Sequence, residues 1–261
     1  MSETLTRTAG PDPDWAETWQ RTWDLQQESY IPDREARLSA LVDIVEAVAG
    51  PEPLVLDLAC GTGSISRRVL ARLPGARTVA VDIDPALLAI AAGSLACDHR
   101  VRIVRADLGD PAWTAALPET RFDAVVTATA LHWLPEPTLR RLYRDLRDVV
   151  RPGGVVANAD EMPDGGLPRL TAGLSELARR RREEQNADGR PDWNAWWDLA
   201  AADPALVDAV DERRRFFGGV NHPDSFGPPA AWHVEALAAA GFAESGIAWR
   251  AGLGAIAAAV R

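Results

Sequence analysis

The stretch from Leu54 to Gly63 reads Leu-Val-Leu-Asp-Leu-Ala-Cys-Gly-Thr-Gly. It sets an acid, Asp57, inside a short apolar run that ends in the small residues Ala59, Gly61 and Gly63. Small residues let a ligand come close to the backbone. The helix expected next, with Ile65, Val69 and Leu73 on one stripe, offers unpaired N–H groups at its start. Strand, small-residue turn and helix together form a device for holding a nucleotide. A dinucleotide fingerprint would need a further glycine, but Ser64 and Ser66 stand where it would fall. A phosphate loop would need a lysine, and the chain has none. An acid before the turn repels a pyrophosphate and suits a ligand carrying an ammonium and a sulfonium.

The D-x-A-x-G-x-G pattern resembles motif I of the class I S-adenosylmethionine (SAM)-dependent methyltransferases, with Ala59 in place of the family's first glycine. A second run, Thr78 to Val81, ends at Asp82. An acid there can accept both hydroxyls of a ribose, with Ile83 beside it lining the cofactor, while Asp84 before Pro85 suits a helix cap. Val101 to Val104 leads to Asp107 and Leu108, which the resemblance places at the adenine amino group and ring. Phe122 to Thr127 leads to Ala128, whose carbonyl the resemblance aims at the methionine ammonium. Arg151-Pro152-Gly153-Gly154 then turns a helix into a fifth strand that ends at Asp160 and Glu161, another family hallmark. Arg34, in the first turn of a helix that Asp33 could cap, is either a solvated arginine or a clamp on the methionine carboxylate.

Alternating strands and helices imply an α/β fold: a Rossmann-like, doubly wound seven-stranded sheet with ligands at the carboxyl ends of the strands. Expected boundaries are a frayed start and N-terminal capping helix over 1–32, a SAM-binding core over 33–161, a helical lid over 162–229, and a C-terminal helix with strands six and seven over 230–261. Trp15, Trp19 and Trp23 form one helical stripe. Trp23 and Tyr30 divide evenly between packing and pocket lining, and Tyr30 is also a candidate cofactor and catalytic residue.

Net charge is −10, which argues against a broad nucleic-acid footprint. Two cysteines, Cys60 and Cys97, give neither a disulfide framework nor a zinc spacing, and no metal is expected. The polar N-terminus and lack of a long apolar run imply a cytoplasmic protein free of membranes; a homodimer is compatible with this. Arg179 to Arg182 before Glu183 and Glu184 reads as surface ion pairs.

The implied chemistry is in-line placement of an acceptor nucleophile against the sulfonium methyl. A base is needed only where the acceptor must lose a proton. His132, which reads equally as a packed or sugar-adjacent histidine, and Asp160 or Glu161 are the candidates, with His222 and Tyr30 behind them. Trp23, Trp133, Glu161, Trp196, Trp197, His222 and Trp232 are expected to meet the acceptor. The tryptophans point to a small aromatic or indole-bearing molecule of the kind methylated in secondary metabolism. Alternatives are an RNA or protein methyltransferase, a non-catalytic protein of the same fold, and a nicotinamide-dependent oxidoreductase.

Overall fold

The computed structural model describes residues 13–31, 33–187, 192–218 and 227–261. Five parallel strands come first: β1 (Leu54–Leu58), β2 (Arg77–Asp82), β3 (Val101–Arg105), β4 (Phe122–Ala128) and β5 (Val150–Glu161). They are separated by α3 (Ser64–Arg72), α4 (Pro85–Ser94), a 3-10 turn at Trp113–Ala116, and α5 (Glu136–Val149). Two helices, α1 (Pro13–Tyr30) and α2 (Arg34–Ala49), precede them. After β5 come α6 (Pro168–Ala187), α7 (Trp193–Ala202), α8 (Val207–Phe217) and α9 (Ala230–Ala239), then the hairpin of β6 (Glu244–Ala251) and β7 (Gly254–Val260).

The sheet order is β3-β2-β1-β4-β5-β7-β6. The first five strands pair in parallel, and β7 enters antiparallel between β5 and β6. The order reverses between β1 and β4, which opens a crevice at their carboxyl ends. Helices α2 and α3 cover one face through Leu38, Leu41, Val45, Ile65 and Val69. Helices α5 and α9 cover the other through Leu139, Leu142, Leu146 and Leu237. In α5 the buried residues recur at helical spacing opposite a charged face, so this helix is fixed by its amphipathic stripe.

Local chemistry fixes the element starts. Asp84 accepts from the amides of Ala86 and Leu87, and Pro85 occupies the first turn of α4. Asp33 departs from the expected cap: it lies at φ 57 and its side chain makes no capping bond to α2. Gly63 sits at φ 82, which favours glycine, and a Cβ there would have to displace Leu95 Cδ1, 2.7 Å away.

The insertion after β5 packs over the β2–β3 side. Helices α7 and α8 lie against α1 and α4, while α6 touches α1. One aromatic stack binds these helices. Trp196 meets Trp19, Trp23 and Trp197 at centroid distances of 5.3, 5.0 and 4.9 Å. Trp15 and Trp19 both donate to Asp203 at 2.8 Å.

Candidate functional site

The turn after β1 is held from within. Asp57 is fully buried and accepts from the amide and hydroxyl of Ser66 at 2.9 and 2.7 Å. Its other oxygen, Oδ1, is buried without a hydrogen-bond partner. Burial lifts the Asp57 carboxyl to about 6, although the two Ser66 bonds oppose the rise. Ala59, Gly61 and Gly63 all take left-handed backbone, at φ 54, 55 and 82. For Ala59 that conformation carries strain a glycine would not feel.

Asp82, at the end of β2, reaches across to this turn. Its Oδ2 accepts from the Gly61 amide at 2.7 Å and its Oδ1 from the Asp84 amide at 2.9 Å. Burial raises its pKa, against the pull of those backbone donors. Asp84 is also pushed up by burial, to about 6, while Arg213 of α8 donates to it at 2.6 Å. Ile83 is partly exposed between them.

Three residues from the N-terminal helices converge on Ser64, just past Gly63. Arg34 Nη2 lies 3.0 Å from the Ser64 hydroxyl and 2.7 Å from Asp24, and Gln20 donates to the same hydroxyl at 3.1 Å. Arg34 is 7% exposed, so it is not the solvated arginine. Its Nη1 makes no hydrogen bond, with Glu35 at 3.6 Å. The turn is thus flanked by a carboxylate oxygen suited to a cation and a guanidinium nitrogen suited to an anion.

At the ends of β4 and β5 stands a second group. His132 Nδ1 lies 2.9 and 3.0 Å from the two oxygens of Asp160, which also accepts from the Glu161 amide. Burial alone would lower the His132 pKa; the Asp160 carboxylate outweighs it, with help from Glu161, and raises it. A proton on Nδ1, held by Asp160, leaves the lone pair on Nε2. Trp133 is half-buried with its ring 5.6 Å from the imidazole. Glu161 is raised by burial, opposed first by Arg37. Ala128 closes β4, and Thr129 beyond it turns at φ 50.

Several expected site residues serve other ends. Trp23, Trp196 and Trp197 lie in the buried cluster with Ala86, Leu87 and Ile90 of α4, so they hold the insertion down and do not line an acceptor pocket. Trp232 packs on α5, donating to Glu136 at 3.0 Å under the Arg140 guanidinium. The Tyr30 hydroxyl accepts from the Trp193 amide at 2.9 Å and its ring lies under Arg182 at 4.6 Å. It ties α1 to α7 and α6, which removes the basis for a catalytic role. Asp107 is exposed and accepts from the Gly109 amide at 2.7 Å, closing a turn, while Leu108 is packed in the core. His222 lies outside the described residues. Among those residues no group of three or more His, Cys, Asp or Glu could hold a metal ion, and no helix is long and apolar enough to cross a membrane.

Sequence reasoning missed Gln20, Asp24, Ser64 and Arg37. Arg37 carried a signal: with Arg34 it shares the buried face of Leu38, Leu41 and Val45, where a charged residue is out of place. Asn158, whose amide donates to the buried Tyr143 hydroxyl at 3.2 Å beside His233, was also passed over.

Residues 55–154, from β1 to the start of β5, match the methyltransferase-domain family. That segment is a methyltransferase domain. The chain is 34% identical over 158 residues to a trans-aconitate 2-methyltransferase of Azoarcus sp. (strain BH72), covering 58% of this chain and 57% of that protein. It is 30% identical over 190 residues to a malonyl-[acyl-carrier protein] O-methyltransferase of Halorhodospira halophila, covering 71% and 62%. The match thus spans less than two thirds of either relative's own length. The methyltransferase fold extends well beyond the matched segment. Human N-acetylserotonin methyltransferase, solved in complex with SAM, superposes with a TM-score of 0.55 at 15% identity, over 96% of this chain and 56% of that one.

Proposed function

We propose that the chain is a SAM-dependent methyltransferase acting on an oxygen of a small molecule, with His132 as the base. The observation that carries the cofactor reading is the pairing around the β1 turn. The buried Asp57 Oδ1 and the Arg34 Nη1, neither of them hydrogen-bonded, match the ammonium and carboxylate of an amino acid. Asp82 and Ile83 would take the ribose, and the Ala128 carbonyl would share the ammonium. When bound, SAM supplies an electrophilic methyl carbon on a sulfonium that departs as a neutral thioether.

The chain's own part is to place the acceptor and hold its proton. His132 Nε2 takes the proton of an acceptor O–H as the new C–O bond forms, and Asp160 stabilises the imidazolium that results. Two relatives are named for acid acceptors, trans-aconitate and malonyl-[acyl-carrier protein]. A carboxylate oxygen at neutral pH needs no base. The His132–Asp160 pair therefore favours an acceptor hydroxyl. The expected aromatic or indole-bearing acceptor loses most of its support, because only Trp133 of the candidate tryptophans stands by His132.

The test joins binding to turnover. S-adenosylhomocysteine should bind in calorimetry, and methyl-labelled SAM should mark a small molecule from metabolite extracts. Absence of both would overturn the reading.

A further inference from the structure

Arg37 lies on α2 one helical turn past Arg34 and is 2% exposed. Its Nε and Nη1 are buried without a hydrogen-bond partner. The carboxylates whose charge reaches it, Asp160, Glu161 and Asp33, form no ion pair with it. Its guanidinium presses on the β6–β7 turn so closely that a Cβ at Gly254 would collide with Nη2. Gly254 pairs with Glu161 across the sheet, so Arg37 stands at the end of β5, one residue from the acid that orients His132.

An arginine cannot shed its proton, and an uncompensated buried charge costs several kcal/mol. Arg34 offsets that cost with Asp24 and Ser64 at the cofactor turn. Arg37 has no such hydrogen-bonded partner, and it stands within charge reach of Asp160 and Glu161. Its planar fork fits a carboxylate in a two-point contact. Glu161 makes no ion pair with it; burial raises that carboxyl's pKa while Arg37 opposes the rise.

Resting on the methyltransferase reading above, we propose that Arg37 anchors a carboxylate of the acceptor, beside the His132–Asp160 pair that receives its hydroxyl. The substrate class is then a small hydroxy acid.

The experiment titrates salicylate, malate, citrate and 4-hydroxybenzoate against the protein, each beside its methyl ester, with and without S-adenosylhomocysteine. At least one acid should bind 10- to 100-fold tighter than its ester, the range of a charge-assisted pair. Arg37→Gln should erase that preference and leave S-adenosylhomocysteine affinity within about twofold. The proposal is overturned if no acid is preferred to its ester, or if the preference survives Arg37→Gln. It is equally overturned if Arg37→Gln weakens the nucleoside as much as the acid, because Arg37 would then serve the cofactor. If the glutamine variant does not fold, Arg37→Lys is read the same way: reduced preference supports the anchor and undiminished preference overturns it. Failure of wild type to bind S-adenosylhomocysteine would instead sink the methyltransferase reading, since the comparison of acids with esters also runs without it.

Discussion

His132 and Asp57 carry opposite assignments that pH can separate. His132→Gln removes the proposed base, so kcat should fall by about 10²- to 10⁴-fold with S-adenosylhomocysteine affinity intact. Asp160→Asn should lower the apparent pKa of the acid limb in the rate profile, because the asparagine no longer stabilises the imidazolium. Asp57 titrates near 6 in the ligand-free protein, and an ammonium partner needs it ionised. Affinity for S-adenosylhomocysteine should therefore weaken about tenfold between pH 7 and pH 5, and calorimetry on Asp57→Asn should show the slope gone. The acids at the strand ends were legible in the sequence because each follows an apolar run directly. Arg37 was not, because periodicity marks which face a residue shares and not whether its charge finds a partner.

Strands and helices were legible wherever one periodicity dominated. The run Leu54–Leu58 and the stripe of α5 both fall within a residue or two of where their patterns place them. The tryptophans were harder to read, because the residue that fills a pocket also glues helices together. Trp196 is fully buried where α1, α4 and α7 meet, and its Nε1 donates to Thr22 at 3.1 Å. Trp196→Ala should cost about 3–5 kcal/mol in a denaturant titration while S-adenosylhomocysteine affinity of the folded fraction stays close to wild type. A large loss of affinity alone would return this residue to the site. At the β1 turn, Ala59→Gly removes strain from a left-handed position but loosens the unfolded chain. A net gain of about 0.5–1 kcal/mol is expected, read as a higher Tm.

For the molecule as a whole, the buried acids make stability depend on pH in an unusual direction. Asp57 and Asp84 are raised from 3.8 to about 6, so the folded chain binds their protons more tightly than the unfolded chain does. Their contribution is greatest below about pH 4 and is lost as pH rises through 6, by about 3 kcal/mol for each at the shifts given. The difference in unfolding free energy between wild type and Asp57→Asn should therefore narrow on going from pH 7 to pH 5, with the variant the more stable at pH 7. A difference that does not change with pH would show that Asp57 ionises normally. The sheet topology was legible as a succession of strand and helix. The docking of α7 and α8 over β2 and β3 was not, because no local pattern fixes where an insertion folds back.

The antiparallel entry of β7 between β5 and β6 bears on biosynthesis. On the ribosome β5 emerges long before β7, and the whole insertion must be translated while the outer side of β5 has no strand to pair with. A nascent chain in that condition presents open amides and carbonyls to its neighbours, so crowded synthesis should favour aggregation. Slower synthesis in the cold, or a chaperone that shields the gap, should raise the soluble yield.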